Sequence, residues 1–244
     1  MIFAPPPTQV PRYARDDTKI QNPKSQIQNR MFPRLDTPEL LDEHDGPRAD
    51  VERSLRDLRR INRWLGGIAI YRRLIRHFAP FRSILDLGAG TADLLESVDA
   101  PMRVALDFKI EHLLYRHDGR RIHRVVADVM SLPLRSGVVD VVTSSHFFHH
   151  FTPQENETIL RESLRVASKG VAVNDTRRHR VPLLFVQLLA GLRLVGRITR
   201  YDAPASVRRG YTSAEARDIA SRAGASRARV IHAFPYRFGI LLWK

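Results

Sequence analysis

The chain has 244 residues, 43% of them hydrophobic, enough for one sizeable core. No run approaches the ~18 apolar residues of a membrane span, and the absence of cysteine excludes disulfides, thiolate metal sites and a cysteine nucleophile, a composition that fits the cytoplasm. The formal net charge is +14, yet only five of the 40 basic residues are lysines, and the arginines are spread along the chain, which points to solvated helix faces before a nucleic-acid surface.

Residues 1–30 hold Pro5-Pro6-Pro7 and a tandem repeat in which Ile20-Gln21-Asn22 returns as Ile27-Gln28-Asn29. Such a segment lacks an apolar period and is predicted to be disordered, or to precede a true start at Met31. It also lacks the apolar core of a secretory signal. Residues 31–80 are predicted to form a helical cap. Val51, Leu55, Leu58, Ile61 or Asn62, and Leu65 recur at helical spacing, Gly66-Gly67 interrupts them, and a second helix over 68–78 stops at Pro80. Arg59, Arg60 and Arg63 read as solvated.

From residue 81 strands alternate with helices. Ile84-Leu85-Asp86-Leu87 is a predicted strand, followed by the turn Gly88-Ala89-Gly90-Thr91-Ala92-Asp93 and a helical start at Leu94. The two glycines let the backbone bend and approach a ligand where a Cβ would clash. A dinucleotide loop would favour a third small residue where Asp93 stands, and a pyrophosphate would be repelled by Asp86 and Asp93. These carboxylates suit a ligand carrying an ammonium and a sulfonium.

The spacing that follows supports a nucleoside. A second strand, Met102–Leu106, ends in Asp107, 21 residues beyond Asp86, where an acid grips a ribose diol. A third ends in Asp128-Val129, placed to accept from an adenine amino group and to cover its ring. Phe108 and Ser144, beside the ends of the second and fourth strands, complete the cofactor set. Each lies at the carboxyl end of a strand, where open α/β sheets bind ligands.

Over roughly residues 50–244 the sequence resembles the class I S-adenosylmethionine-dependent methyltransferases. Asp86-Leu87-Gly88-Ala89-Gly90-Thr91 matches their cofactor loop, Asp107 their ribose acid and Asp128-Val129 their adenine contact. Ser145-His146-Phe147-Phe148-His149-His150-Phe151 and Asp57–Gly67 are similar to the ubiquinone/menaquinone C-methyltransferase-like subgroup. The resemblance implies a Rossmann-like, doubly wound, seven-stranded sheet, mostly parallel, with an antiparallel C-terminal edge hairpin at 227–232 and 238–243. It implies methyl transfer to a lipophilic acceptor such as a quinol, resorcinol or polyketide-like phenol, at oxygen or carbon. One departure is Ala92, where the family carries a third glycine; its methyl is expected to tighten the methionine pocket.

Further along, His146, His149 and His150 would share a face if their turn is helical, a spacing that can hold a metal, but no acidic ligand lies in the motif and none is assigned. One of His149 and His150 is expected to be a general base, and Asp175, past a fifth strand, a second candidate. The stretch 181–210 is expected to form an apolar lid, with 183–200 offering peripheral membrane contact through Arg193, Arg197 and Arg200. Ser213 is the expected cap of a helix reaching Ala223. Two other readings compete: an RNA methyltransferase, favoured by charge alone, and a degenerate scaffold that binds cofactor without turnover.

Overall fold

The computed structural model describes residues 32–35, 37–43, 47–115 and 121–244; the expectations for residues 1–30 fall outside them. Helices α1 (Leu40–Glu43), α2 (Arg48–Trp64) and α3 (Gly67–Ile75) precede the sheet. There follow β1 (Ser83–Leu87), α4 (Asp93–Glu96), β2 (Met102–Asp107), α5 (Ile110–Leu114), β3 (His123–Val126) and β4 (Val139–Ser145). A 3₁₀ turn, Phe148–His150, leads to α6 (Pro153–Val166), β5 (Ala167–Thr176), α7 (Arg180–Gly191), α8 (Arg197–Arg209), α9 (Ser213–Ser221), β6 (Arg227–Ala233) and β7 (Arg237–Trp243).

The seven strands stand in the order β3-β2-β1-β4-β5-β7-β6. Pairs from β3 through β5 are parallel, and β7 runs antiparallel to both β5 and β6. The last strand in sequence is thus an inner strand and β6 is the edge. Burial explains it: six of the seven β7 residues are buried, whereas the first five of β6 are exposed or half-buried. Side chains alternate across the sheet, so Leu85 and Leu87 join a core with Val142, Val173 and the α6 and α9 residues Leu160 and Ile219. Ile84, Ala105, Val141 and Leu241 join a second core with Tyr71, Leu74 and Leu95 on the opposite face. Covering both faces is what a parallel sheet requires.

Local signals fix several boundaries. Thr152 and Glu155 form a reciprocal capping box ahead of Pro153 and start α6. The cap of α9 is Thr212, paired likewise with Glu215, not Ser213 as its neighbouring hydroxyl had indicated. Strand β5 extends three residues past Val173, so Asn174 and Asp175 belong to the sheet. The stretch 181–210 is two helices of different character. No α7 residue is fully buried, whereas α8 buries Ile198, Thr199, Asp202, Ala205, Val207 and Arg209 and packs against α1, α2 and α7.

Strand order reverses between β1 and β4, and at the carboxyl ends of these strands opens a cavity of about 600 Å³. Such a switch point is where open α/β sheets bind ligands. Among the described residues no helix is long and apolar enough to cross a membrane.

Candidate active site

The floor of the cavity is the turn after β1. Gly88 has φ +62° and a Cβ there would lie 2.2 Å from the Phe147 ring, so this glycine is required by packing as well as conformation. Gly90 has φ +51°, and a Cβ there would meet nothing within 4 Å. Its backbone therefore borders open space, as a loop that takes a ligand against its main chain must. Ala92 also adopts a left-handed φ, +57°, but is 2% exposed and packs with Leu94 and Leu95 in the second core. Its methyl points away from the cavity, so the expected tightening of the methionine pocket does not arise.

Three carboxylates surround this turn. Asp86 lines the cavity yet is almost wholly buried, because strand alternation turns it toward α3. The Tyr71 hydroxyl and Thr143 Oγ1 lie 2.8 Å apart, and Thr143 donates to Asp86 Oδ1 at 2.7 Å. Burial, and after it the charges of Asp93 and Asp107, push the Asp86 carboxyl up to about 7. Asp93 is held by Asn62 Nδ2 at 3.1 Å and by the Thr91 hydroxyl at 3.1 Å. Asp107 accepts from the backbone N–H groups of Gly90 (2.8 Å) and Lys109 (2.9 Å). It braces the glycine turn while retaining one lone pair per oxygen for a diol. This set fits S-adenosylmethionine: a bare stretch of backbone beside acids whose crowding a cationic ligand would relieve.

Gly88, Ala89, Gly90, Asp93 and Phe108 line the cavity with Asp86 and Asp107. Three of the expected cofactor residues do not. Val129 is 6% exposed and packs in the first core, and the Asp128 carboxylate accepts from Met130 N at 2.9 Å as a turn residue on the exposed edge of β3. Ser144 is buried, because the two-residue period sends Ser145 into the cavity instead. Arg59 is no solvated residue either: it bridges α2 to the glycine loop, pairing with Glu96 at 2.8 Å. Arg60, by contrast, remains largely in solvent.

Opposite the glycine turn stands a wall of histidines that do not share a helical face. His146 has φ +52° and contacts Arg237; burial and that cation hold its pKa well below the usual range. His149 and His150 lie in the 3₁₀ turn. His149 Nδ1–H donates to Asp175 Oδ1 at 2.8 Å, and its backbone N–H donates to Asp175 Oδ2 at 2.9 Å. On the other side His149 Nε2 stands 3.2 Å from Glu39 Oε1. Burial alone would lower the His149 pKa, but the Asp175 charge and hydrogen bond, with the nearby Glu39 carboxylate, raise it to about 10. The Asp175 carboxyl is lowered to about 2, the His149 charge outweighing burial. Asp175 is fully buried and outside the cavity lining, so the expectation that it acts as a base gives way to a positioning contact. His149, doubly paired and charged at neutral pH, cannot accept a proton in this state either. His150 is less buried, and its Nδ1 lies 2.6 Å from Asp42 Oδ2.

Glu39 and Asp42 had no signal of their own in the sequence. They arrive because the segment before α2 is strapped across the site. Arg34 donates to the carbonyls of Arg209, His149 and Phe151, Arg209 to those of Thr37 and His150, and Asp202 accepts the N–H groups that open α1, Leu40 at 2.8 Å and Leu41 at 3.1 Å. Burial raises the Asp202 carboxyl to about 6. The remaining walls are apolar, with Leu55, Leu58 and Ile61 of α2 facing Val181, Phe185 and Leu189 of α7.

A family model described as a methyltransferase domain matches residues 85–173. No curated protein sequence matches the chain. Solved structures share its fold. An S-adenosylmethionine-dependent methyltransferase from Aquifex aeolicus is 19% identical with a TM-score of 0.57, covering 79% of this chain and 97% of that one. Human N-acetylserotonin methyltransferase in complex with S-adenosylmethionine is 16% identical with a TM-score of 0.62, covering 86% and 64%. A plantazolicin methyltransferase, in complex with a pentazolic desmethyl analogue and S-adenosylhomocysteine, is 11% identical with a TM-score of 0.64, covering 84% and 93%. At these identities the likeness establishes the fold, and the chain spans less than two thirds of the human enzyme. A methyltransferase domain model thus matches the centre of the chain, within a fold that the chain shares with solved S-adenosylmethionine-dependent methyltransferases.

Proposed function

We propose that the protein methylates a lipophilic hydroxyl-bearing small molecule of the quinol, resorcinol or polyketide-like phenol class. The observation that carries this reading is the junction, within one cavity, of an acid-lined glycine turn, an apolar chamber and a histidine–carboxylate wall. Bound S-adenosylmethionine supplies a methyl group already activated by its sulfonium. The protein's share is alignment, exclusion of water and removal of the acceptor proton. Asp107 and the Gly90 backbone hold the nucleoside end, and Asp86 with Asp93 the cationic end. Leu55, Leu58 and Phe185 hold the acceptor's apolar body. His150, with the Asp42 carboxylate beside its Nδ1, presents Nε2 as the base, and Asp175 fixes His149 beside it.

Two neighbours in fold act, by their names, on N-acetylserotonin and plantazolicin, which favours a small-molecule acceptor over RNA. The subgroup resemblance at 145–151 adds a quinol-type acceptor to the same reading. We further read 31–80 as the cap and α7 with α8 as the lid of a domain over 81–244. The outer side of α7 exposes Leu184, Leu188 and Leu192 near Arg193 and Arg197, a surface suited to peripheral contact with anionic lipid from which such an acceptor would be drawn.

Calorimetry with S-adenosylhomocysteine tests the cofactor half of the reading, and radiolabelled methyl transfer to a panel of quinols and resorcinols the other half. Binding without transfer to any hydroxy-aromatic would leave the scaffold reading in its place. Transfer to RNA that weakens steeply with salt would favour the nucleic-acid reading.

A further inference from the structure

Two remote stretches of chain bring ligating side chains to one point beside the cavity. Glu39 stands just before α1, Asp42 within it, and His149 and His150 follow β4. One ligand atom from each of Glu39, His149 and His150 lies within 4.8 Å of the other two. His149 Nε2 and His150 Nδ1 are both buried, and neither makes a hydrogen bond. Carboxylate oxygens stand close to each, Glu39 at 3.2 Å and Asp42 at 2.6 Å, but off the axis on which an N–H would donate.

That misalignment has a simple geometric counterpart. In a tetrahedral site with bonds of ~2.0–2.1 Å, neighbouring ligand atoms sit ~3.3–3.4 Å apart, and the cation rather than the neighbouring ligand lies on the nitrogen's axis. The 3.2 Å separation of His149 Nε2 from Glu39 Oε1 is already such an edge. The widest separation in the trio, 4.8 Å at most, exceeds that edge by about 1.4 Å, a gap that side-chain rotation of the two groups would share. The other nitrogen of His149 is held by Asp175 at 2.8 Å. A cation would displace the Nε2 proton of the charged imidazole, and the carboxylate behind Nδ1 would then fix the tautomer that leaves Nε2 as a lone-pair donor, the usual support of a ligating imidazole.

We propose that Glu39, His149 and His150 form a binding site for a divalent transition-metal cation of the Zn²⁺ class, with a fourth position open to the cavity. Two imidazoles and one carboxylate favour zinc, iron, nickel or copper over magnesium or calcium, which prefer all-oxygen sites. The proposal deepens the reading of the cleft as a hydroxyl-methylating site and rests on it for the cation's role. The open position would take the acceptor hydroxyl and lower its pKa, as a bound water's is lowered. With the cation bound, the hydroxyl proton would pass to the Asp42 carboxylate and His150 would act as a ligand; in the cation-free protein His150 keeps the base role proposed above.

The test is calorimetric titration of the chelator-stripped full chain with Zn²⁺ alone. One equivalent should bind, and Glu39→Gln, His149→Asn and His150→Asn should each weaken binding at least about tenfold, since removing one ligand of three costs ~1.4 kcal/mol or more. Binding of S-adenosylhomocysteine, measured in parallel, should persist in the stripped protein and in the Glu39→Gln and His150→Asn variants, which reports that they fold. Failure to bind Zn²⁺ stoichiometrically, or binding that all three substitutions leave unchanged, overturns the proposal. Loss of S-adenosylhomocysteine binding from the unsubstituted chain would instead sink the methyltransferase reading, and the Zn²⁺ titration would be untouched by it.

Discussion

Asp107 carries two duties at one carboxylate, and its substitution separates them. Its oxygens brace Gly90 and Lys109 through 2.8 and 2.9 Å hydrogen bonds, and the residue lines the cavity where the nucleoside is proposed to sit. Asp107→Ala removes charge-assisted hydrogen bonds worth ~1.5–3 kcal/mol each, so affinity for S-adenosylmethionine should fall at least about tenfold. An unchanged dissociation constant in folded protein would move the cofactor elsewhere. Asp86 gives a pH prediction. Burial pushes its folded carboxyl from the ordinary 3.8 up to about 7, so between these values the folded state holds a proton that unfolding releases. Stability of the cofactor-free protein should therefore fall as pH rises from about 4 to 7 and level off above. Thermal melts of Asp86→Asn should lose that slope. Cofactor affinity should run the other way, rising through pH 7 as the ionised carboxylate meets a cationic ligand. At His150 the expected outcome of His150→Gln is a turnover loss of roughly 10²–10⁴ with cofactor affinity close to that of the unsubstituted protein. Loss of both together would mark a structural role.

Among the elements, α7 is the one whose two sides differ most in consequence. Val181, Phe185 and Leu189 line the cavity, while Leu184 is 69% exposed on the outside. Phe185→Ala should raise the acceptor KM about tenfold, from partial loss of the ~1.5–3 kcal/mol that burying a Phe contributes, and leave S-adenosylhomocysteine binding alone. Leu184→Ser should leave KM on a soluble acceptor unchanged, and equal effects of both would argue against α7 as a lid. Steady-state kinetics on one soluble phenol distinguishes these outcomes. The elements β1 and β2 were legible in the sequence because a short apolar run ends there in a glycine turn or in an acid. The strand order of β6 and β7 was not. A hairpin pattern is the same whichever strand pairs with β5, and only the deeper burial of β7 in the assembled sheet decides it.

At the scale of the molecule, the segment before α2 completes the site without belonging to the sheet. A chain beginning at Pro47 should retain S-adenosylhomocysteine binding, because Asp86, Gly90 and Asp107 remain, and should lose acceptor turnover with Asp42 gone. Equal turnover in the shortened chain would free the catalytic wall from that segment. The glycine turn and the acid after β2 were readable from sequence because they are local: a strand, its turn and the next strand's end lie within about two dozen residues, and backbone sterics restrict what each can be. The roles of the histidines were not readable in this way. His149 and His150 had been alternative candidates, with Asp175 behind them. What separates them is a pair of carboxylates more than a hundred residues upstream, Glu39 and Asp42, which burial and the Arg34 and Arg209 straps bring to the wall. The sequence alone therefore determined the fold and the cofactor turn, where short-range patterns suffice. Tertiary structure decided which imidazole is buried between two carboxylates and which is less buried beside one, because charge, burial and hydrogen bonding at a side chain are set by neighbours that the linear order does not reveal.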